Sequence, residues 1–195
     1  MARFSLVLAT LDRTVELERF VHTLNRQDAS VQLIVIDQNK DDRLVPILAK
    51  VKATVDVLHL RSSPGLSHAR NVGLKHIDGD IVAFPDDDCW YPDGVLKFVE
   101  TKLAATPDID GLTGRSTDGE GKASAGNFDK SSGLVDLKTV WGQGISFAIF
   151  VRRKVADQIG DFDESLGVGA GTRFGSGEET DYLIRGLKLG ATLQA

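Results

Sequence analysis

Four short apolar runs recur in the first half of the chain, and their spacing most constrains the fold. They cover residues 4–9, 31–36, 55–60 and 81–84. Each interval is long enough for one helix, which gives a βαβα alternation. Because the runs are continuously apolar, they predict a mostly parallel sheet covered by helices on both faces. The expected fold class is therefore α/β, a Rossmann-like three-layer sandwich.

Size, charge and cysteine content narrow the choice further. The chain has 195 residues, of which 42% are hydrophobic, and this suffices for one core, so a single domain over residues 1–195 is expected. The formal net charge of -5 gives no general attraction to nucleic acid, and no nucleic-acid partner is expected. The single cysteine, Cys89, cannot form an internal disulfide, which favours a reducing, cytoplasmic compartment.

Both ends of the sequence have the patterns of sheet elements. The run at 4–9 is far shorter than the roughly 20 residues that cross a bilayer, and no cleavage site follows it, so it predicts a first strand. Residues 180–189 have helical spacing, Gly190 suits the position after a helix, and 191–195 predict the start of another strand. A truncated chain and a minimal domain both fit this ending.

Three adjacent carboxylates, Asp86, Asp87 and Asp88, follow the fourth apolar run. They would raise one another's pKa unless a cation neutralised them. Mg²⁺ or Mn²⁺, which prefer oxygen ligands, are the natural candidates. The alternative is a solvated turn, or a cap for a helix beginning near Pro92. The position at the carboxyl end of a buried strand favours the metal site.

Two further polar positions adjoin predicted strands. Asp37 follows the second run, where a carboxylate can accept a hydrogen bond from a ribose hydroxyl or a base N–H; the alternative is a helix N-cap. After the third run, residues 64–73 enter a helix. Its Arg70 offers forked donors to phosphate oxygens beside backbone N–H groups. The alternative there is a surface arginine paired with a nearby aspartate.

The segment 175–185 places Glu178, Glu179 and Asp181 in the first turn of the last helix. Acids at that position also complement the helix dipole, which is the structural alternative. In the functional interpretation, one of the three carboxylates is a general base that removes a proton from an acceptor hydroxyl. The preceding glycines would let the loop close over a substrate.

Signatures of several other enzyme classes are absent from the sequence. It contains no Gly-x-x-x-x-Gly-Lys-Ser/Thr phosphate loop, no Gly-x-Gly-x-x-Gly after a predicted strand and no Gly-x-Ser-x-Gly. These absences argue against kinase-like, dinucleotide-binding and serine-hydrolase functions.

In this order, the motifs resemble the family 2 glycosyltransferases, which have the GT-A fold, and the resemblance runs through nearly the whole chain. It implies that Thr10 and Asp12 lie near the nucleotide base and that Asp37 is the nucleotide-binding acid. It also implies that Arg70, within Ala-Arg-Asn-Val-Gly, faces the nucleotide or its diphosphate.

The resemblance further identifies residues 86–88 as the Asp-x-Asp motif of the family. Asp86 would approach the ribose and also the metal, Asp87 would belong to the nucleotide-sugar site, and Asp88 would hold the metal. The stretch 141–147 resembles the one that lines the sugar and acceptor side.

The general base is implied by the same resemblance. Family members usually carry Glu-Asp before the last helix, with the second acid as base, whereas this sequence has Glu178-Glu179. Glu179 is therefore the expected base. Glu178 and Asp181 stay as alternatives, because the longer side chain displaces the carboxylate.

The implied reaction is an inverting transfer of a sugar, dependent on Mn²⁺ or Mg²⁺. The donor would be a nucleoside-diphosphate sugar, by default a UDP-sugar, and the acceptor a hydroxyl of a saccharide or lipid-linked glycan, as in polysaccharide biosynthesis. Residues 1–114 would bind the nucleotide and 115–195 the acceptor. A cytoplasmic location with peripheral association at the inner membrane face is the expectation, and the sequence does not indicate an oligomeric state.

Two alternatives compete with this function. A sugar-phosphate nucleotidyltransferase also combines a parallel sheet with metal-binding acids, but it needs a glycine-rich loop after the first strand, and residues 9–14 contain no glycine. A catalytically silent nucleotide-sugar-binding module would fit the substituted Glu179 and the early C-terminus.

Overall fold

A seven-stranded sheet forms the centre of the fold. The computed structural model describes residues 2–124 and 132–195. The strands are β1 (Arg3–Thr10), β2 (Ser30–Asp37), β3 (Val55–Arg61), β4 (Ile81–Ala83), β5 (Gly111–Thr113), β6 (Ile149–Arg152) and β7 (Leu193–Gln194). Their spatial order is β3-β2-β1-β4-β6-β5-β7.

The four predicted apolar runs form the parallel half of this sheet. Strand β1 pairs in parallel with β2 and with β4, and β2 pairs in parallel with β3. Strand β6 is antiparallel to β4 and β5, while β7 is parallel to β5. The prediction of a mostly parallel α/β sheet is confirmed. The sequence did not indicate β5 and β6.

Helices cover both faces of the sheet. They are α1 (Val15–Leu24), α2 (Val45–Leu48), α3 (Leu66–Leu74), α4 (Val95–Ala105), α5 (Arg153–Ile159) and α6 (Glu178–Lys188). Helix α2 is shorter than the apolar spacing from Leu44 to Val51 predicts. The backbone N–H groups of Lys50 and Val51 bond three residues back instead of four, so the helix tightens and ends.

The alternation of side chains along β1 assigns the helices to two layers. Phe4, Leu6 and Leu8 pack in one core cluster, which includes residues of α1, α2 and α4. Val7 and Ala9 point the other way, into a cluster with residues of α3, α5 and α6. Successive strand residues face opposite sides of a sheet, so a continuously apolar strand requires both layers.

The segment that follows β5 has the composition of a loop. Residues 115–134, rich in Gly, Ser, Asp and Lys, predict a loop or short hairpin. In the described part, Thr117 and Ala123 form an antiparallel bridge, whereas residues 125–131 lie outside the described residues.

Within the described ranges, no helix has the length and apolar character needed to span a bilayer.

Candidate active site

The acids that follow the apolar runs meet at the carboxyl edge of the sheet. Thr10 ends β1 and Asp37 ends β2, and the two are register partners. Beyond the end of β4, Asp86 forms an isolated parallel bridge with Ala9 of β1. The polar positions therefore converge because adjacent parallel strands end at one edge.

Asp86 is held by two side chains from distant parts of the chain. Arg70 of α3 donates to its Oδ1 at 3.0 Å, and the Ser146 hydroxyl donates to its Oδ2 at 2.8 Å. Burial raises the pKa of Asp86, an effect that the charge of Arg70 opposes. The residue does not cap a helix, because α4 begins at Val95 after Gly94. The carboxylate is thus fixed in direction and partly removed from water.

Arg70 is almost completely buried, with 1% of its side chain exposed. Its second donor nitrogen contacts Oε1 of Glu178 at 3.0 Å. Its guanidinium also lies 5.3 Å from the ring centre of Phe162. Arg70 does pair with a nearby aspartate, as the structural alternative proposed, but it does so in the interior rather than at the surface.

The three acids of α6 have three different environments. Glu178 is buried and paired with Arg70. Asp181 accepts a hydrogen bond at 2.8 Å from Arg185, one turn further along the helix. Oε2 of Glu179 is buried and has no hydrogen-bond partner within the described residues. Burial, together with the neighbouring charge of Glu178, raises the pKa of Glu179.

An aromatic cluster anchors α6 beside the end of β4. Tyr182 of α6 stacks on Phe162 with ring centres 4.4 Å apart, and it meets Phe84 edge-on at 5.4 Å. Phe84 lies two positions before Asp86, the first acid of the triad. Such pairs favour defined ring orientations. The acids of α6 are therefore fixed in position relative to Asp86.

Asp87 and Asp88 both contact Arg13, which lies in the loop after β1. Arg13 NH1 donates to Asp87 Oδ1 at 3.2 Å and also to Asp88 Oδ2. Burial raises the pKa of Asp87. Burial acts in the same direction on Asp88, but the hydrogen bond and charge of Arg13 outweigh it and lower the pKa of Asp88.

Asp37 is enclosed at the opposite side of the site. Its Oδ1 accepts hydrogen bonds from the backbone and side-chain nitrogens of Asn39, and its Oδ2 lies 2.9 Å from His59 Nε2 and 3.1 Å from Arg61 NH1. It does not cap a helix, since α2 begins after Leu44. No part of Asp37 is exposed, so a ligand reaches the carboxylate only by replacing one of these donors.

Asp12 has the unusual backbone conformation of this edge, with a φ of 58°. Its N–H donates to Asn39 Oδ1 and its carboxylate pairs with Arg43, both at 2.8 Å. A non-glycine residue with positive φ is uncommon and needs surrounding contacts to hold it. These contacts fix the loop that also carries Arg13.

Comparison with known proteins shows the relationship that this geometry suggests. Residues 5–160, most of the chain, match the family described as glycosyl transferase family 2. The chain belongs to glycosyltransferase family 2.

Two relatives support the assignment to family 2. An uncharacterized glycosyltransferase, YwdF, of Bacillus subtilis strain 168 is 25% identical over 170 residues, which cover 84% of this chain and 63% of that protein. An uncharacterized glycosyltransferase of Haemophilus influenzae is 26% identical over 107 residues, or 54% of this chain and 36% of that protein. The chain thus spans less than two thirds of the length of these relatives.

Solved structures agree with the GT-A fold. TarS of S. aureus, residues 1–349, superposes with a TM-score of 0.73 at 20% identity, covering 98% of this chain and 57% of that one. A mannosyltransferase of Pyrobaculum calidifontis, PcManGT, in complex with GDP-Man and Mn²⁺, superposes with a TM-score of 0.72 at 16% identity, covering 98% and 54%. The predicted fold and the family resemblance are both confirmed.

The donor atoms at the acidic triad fit a hard divalent cation. One ligand atom each from Asp86, Asp88 and Cys89 can lie within 4.8 Å of the others. Carboxylate oxygens suit Mg²⁺ and Mn²⁺, whereas a thiol does not. Burial and the surrounding acids also raise the pKa of the Cys89 thiol. The two carboxylates are therefore the candidate protein ligands in this family 2 chain.

Sequence reasoning missed several residues of the site. His59 and Arg61 both contact Asp37. They occupy alternate positions of β3, and no sequence motif marks them. Ser146 lies within the stretch expected at the sugar side, but its contact with Asp86 was not predicted. Arg13 is the residue that a sequence signal could have found, since it is a cation beside Asp12 in the loop after β1.

Proposed function

We propose that this family 2 chain transfers a sugar, with inversion, from a nucleoside-diphosphate sugar to a hydroxyl of a saccharide or lipid-linked glycan. A UDP-sugar is the default donor. The observation that carries the proposal is the position of Glu179, an acid with a raised pKa that adjoins the Arg70–Glu178 ion pair. Through Arg70, this acid is linked to Asp86 of the acidic triad.

The nucleotide end of the site consists of Thr10, Asp12 and Asp37. They lie around the ends of β1 and β2, where ligands of open α/β sheets bind. A base or ribose donor would replace His59 or Arg61 on Asp37. TarS has been solved in complex with UDP-GlcNAc, and this supports a nucleotide-sugar donor for the fold.

The diphosphate end consists of Arg70 and the triad Asp86, Asp87 and Asp88. Asp88 and Asp86 would hold Mn²⁺ or Mg²⁺. When bound, such an ion neutralises charge on the departing nucleoside diphosphate. The Mn²⁺ of PcManGT supports a divalent ion for this fold. Arg70 reinforces the positive potential there through its guanidinium, and Ser146 holds Asp86 in direction.

Glu179 acts as the general base in this proposal. The other two acids of α6 are engaged by arginines, Glu178 by Arg70 and Asp181 by Arg185. Glu179 alone among the three combines a buried oxygen without a partner, within the described chain, with a raised pKa. A general base works best when its pKa lies near the working pH. The raised pKa of Glu179 is therefore closer to the value that suits proton transfer near neutral pH. Its proton would come from the acceptor hydroxyl as that oxygen attacks the sugar carbon.

The acceptor binds the second part of the chain in this proposal. We infer that residues 1–114 bind the donor and that residues 115–195, including the stretch 141–147, bind the acceptor. Trp141 in that stretch is exposed, and an exposed aromatic ring suits stacking on a saccharide. We further propose a cytoplasmic site of action at the inner membrane face, reached through peripheral association.

Calorimetry with UDP and GDP tests the donor site. Each nucleotide is titrated with and without Mn²⁺ into wild type, Asp88→Ala and Asp93→Ala. Asp93 is an exposed acid paired with Arg26, and serves as the matched control. Wild type and Asp93→Ala should bind one nucleotide in a Mn²⁺-dependent way, and Asp88→Ala should lose that dependence.

Two outcomes would contradict the proposal. If wild type bound neither nucleotide, the proposed donor site would be wrong. If Asp88→Ala kept the Mn²⁺ dependence of wild type, Asp88 would not be a ligand of the metal. Nucleotide release from a UDP-sugar then separates an enzyme from a silent module, because a module would bind the UDP-sugar without releasing UDP.

A further inference from the structure

Arg13 occupies the position of a counter-ion at the acidic triad. It contacts the carboxylates of both Asp87 and Asp88. Its loop is fixed by Asp12, which is held by Asn39 and Arg43. Asp88, the proposed metal ligand, therefore already has a cationic partner supplied by the chain itself.

A second arginine approaches Asp88 without using its carboxylate. Arg19 of α1 donates to the backbone oxygen of Asp88 at 2.7 Å, and its guanidinium lies 4.5 Å from the ring centre of Trp90. Arg13 and Arg19 thus place the same charge near the same residue. Of these two arginines, only Arg13 contacts a carboxylate oxygen of Asp88, which is the kind of atom that would bind a metal ion.

We propose that Arg13 couples metal binding to diphosphate binding, an inference that rests on the proposed function. Without nucleotide, Arg13 competes with the divalent ion for Asp88. When a nucleoside diphosphate arrives, its oxygens give the guanidinium a new anionic partner, and Asp88 becomes free for the ion. Arg13 is then a diphosphate-binding residue, and in the absence of nucleotide it weakens the binding of the metal ion.

The charges and exposure of the contact make this exchange feasible. A guanidinium binds carboxylate and phosphate oxygens with the same forked donors, so it can pass from one to the other. The side chains of Arg13 and Asp88 are each 45% exposed, and a half-exposed ion pair is weak enough to open. Metal and nucleotide binding are then linked, and each ligand must raise the affinity of the other by the same factor.

The test uses Mn²⁺ titrations followed by electron paramagnetic resonance of the free ion. Wild type, Arg13→Gln and the control Arg19→Gln are titrated alone and with saturating UDP or GDP. For Arg13→Gln we expect Mn²⁺ binding without nucleotide to tighten by about two- to fivefold, the size of a half-exposed ion pair. The gain in Mn²⁺ affinity on adding nucleotide should shrink by at least that factor. Arg19→Gln should keep the wild-type gain.

The outcomes separate this inference from the proposed function. If wild type binds Mn²⁺ and nucleotide together but Arg13→Gln leaves both the affinity for Mn²⁺ alone and the gain unchanged, the exchange at Arg13 is wrong while the donor site stands. An equal effect of Arg19→Gln would also overturn it, because the effect would then come from local charge. If wild type binds neither ligand, the proposed function fails and this inference fails with it.

Discussion

Arg70 and Glu178 form a buried ion pair at 3.0 Å, and the same guanidinium donates to Asp86 at 3.0 Å. One cation therefore joins the acidic triad after β4 to the first turn of α6. Asp86 and Glu178, which lie far apart in the sequence, are thus held by a single side chain. This connection holds the first turn of α6, which includes Glu179, in place relative to the acidic triad.

Replacing Arg70 should destabilise the fold strongly. Arg70→Gln leaves Glu178 buried without its counter-ion, and breaking a buried ion pair costs about 3–5 kcal/mol. The free energy of unfolding from urea titration measures the loss. Arg26→Gln is the control, because Arg26 pairs with Asp93 at the surface, and it should cost less than about 1 kcal/mol. Equal losses of unfolding free energy in Arg70→Gln and Arg26→Gln would show that the buried ion pair stabilises the fold no more than the surface pair does.

Removing the proposed base should abolish most of the turnover. Glu179→Gln keeps the shape of the side chain but cannot accept a proton, so kcat should fall by about 10²- to 10⁴-fold. Release of UDP from a UDP-sugar in the presence of an acceptor measures it. Asp181→Asn is the matched control on the same helical turn, where Arg185 already engages the acid. If Asp181→Asn loses the larger share of kcat, the two roles are reversed.

The raised pKa of Glu179 also predicts how stability depends on pH. Because burial raises its pKa in the folded state, the folded protein holds the proton more tightly than the unfolded chain. Stability from this group is present in full below the unfolded pKa of about 4.3 and is lost as pH rises through the folded pKa. Glu179→Gln should therefore gain stability relative to wild type as the pH rises from the unfolded pKa through the folded pKa.

Urea titrations of Glu179→Gln and wild type between pH 4 and 8 (roughly the range that spans such a shift) measure this difference. Glu120→Gln changes the same group at an exposed position and should show no widening gap. A constant difference between Glu179→Gln and wild type across the range would contradict the assignment of a buried, reluctantly ionised acid.

A substitution far from the site tests how tightly the sheet is packed. A Cβ at Gly79 would lie 2.6–2.7 Å from backbone atoms of residues 3–5 in β1. Backbone cannot move aside as a side chain can, so Gly79→Ala should cost about 1–3 kcal/mol of unfolding free energy. Gly119→Ala has open space around it and should change stability by less than about 0.5 kcal/mol. Similar melting temperatures for the two variants would contradict the close approach.

Hydrophobic periodicity in the sequence predicted much of the fold. The apolar runs predicted β1 to β4, and the length of the intervals between them predicted intervening helices such as α1. Local patterns succeed here because each element buries a complete face or both faces. Strands β5 and β6 were not predicted, although β6 pairs with both β4 and β5.

The candidate site was only partly readable. The sequence itself determined which acids follow strands and helices, because Asp37, Asp86 and Glu179 adjoin periodic segments whose ends can be located. Tertiary structure alone decided their partners: Arg70 faces two carboxylates, His59 and Arg61 enclose Asp37, and Arg13 reaches Asp88. The physical reason is that burial and ion pairing depend on distances across the fold, and no local pattern encodes those distances.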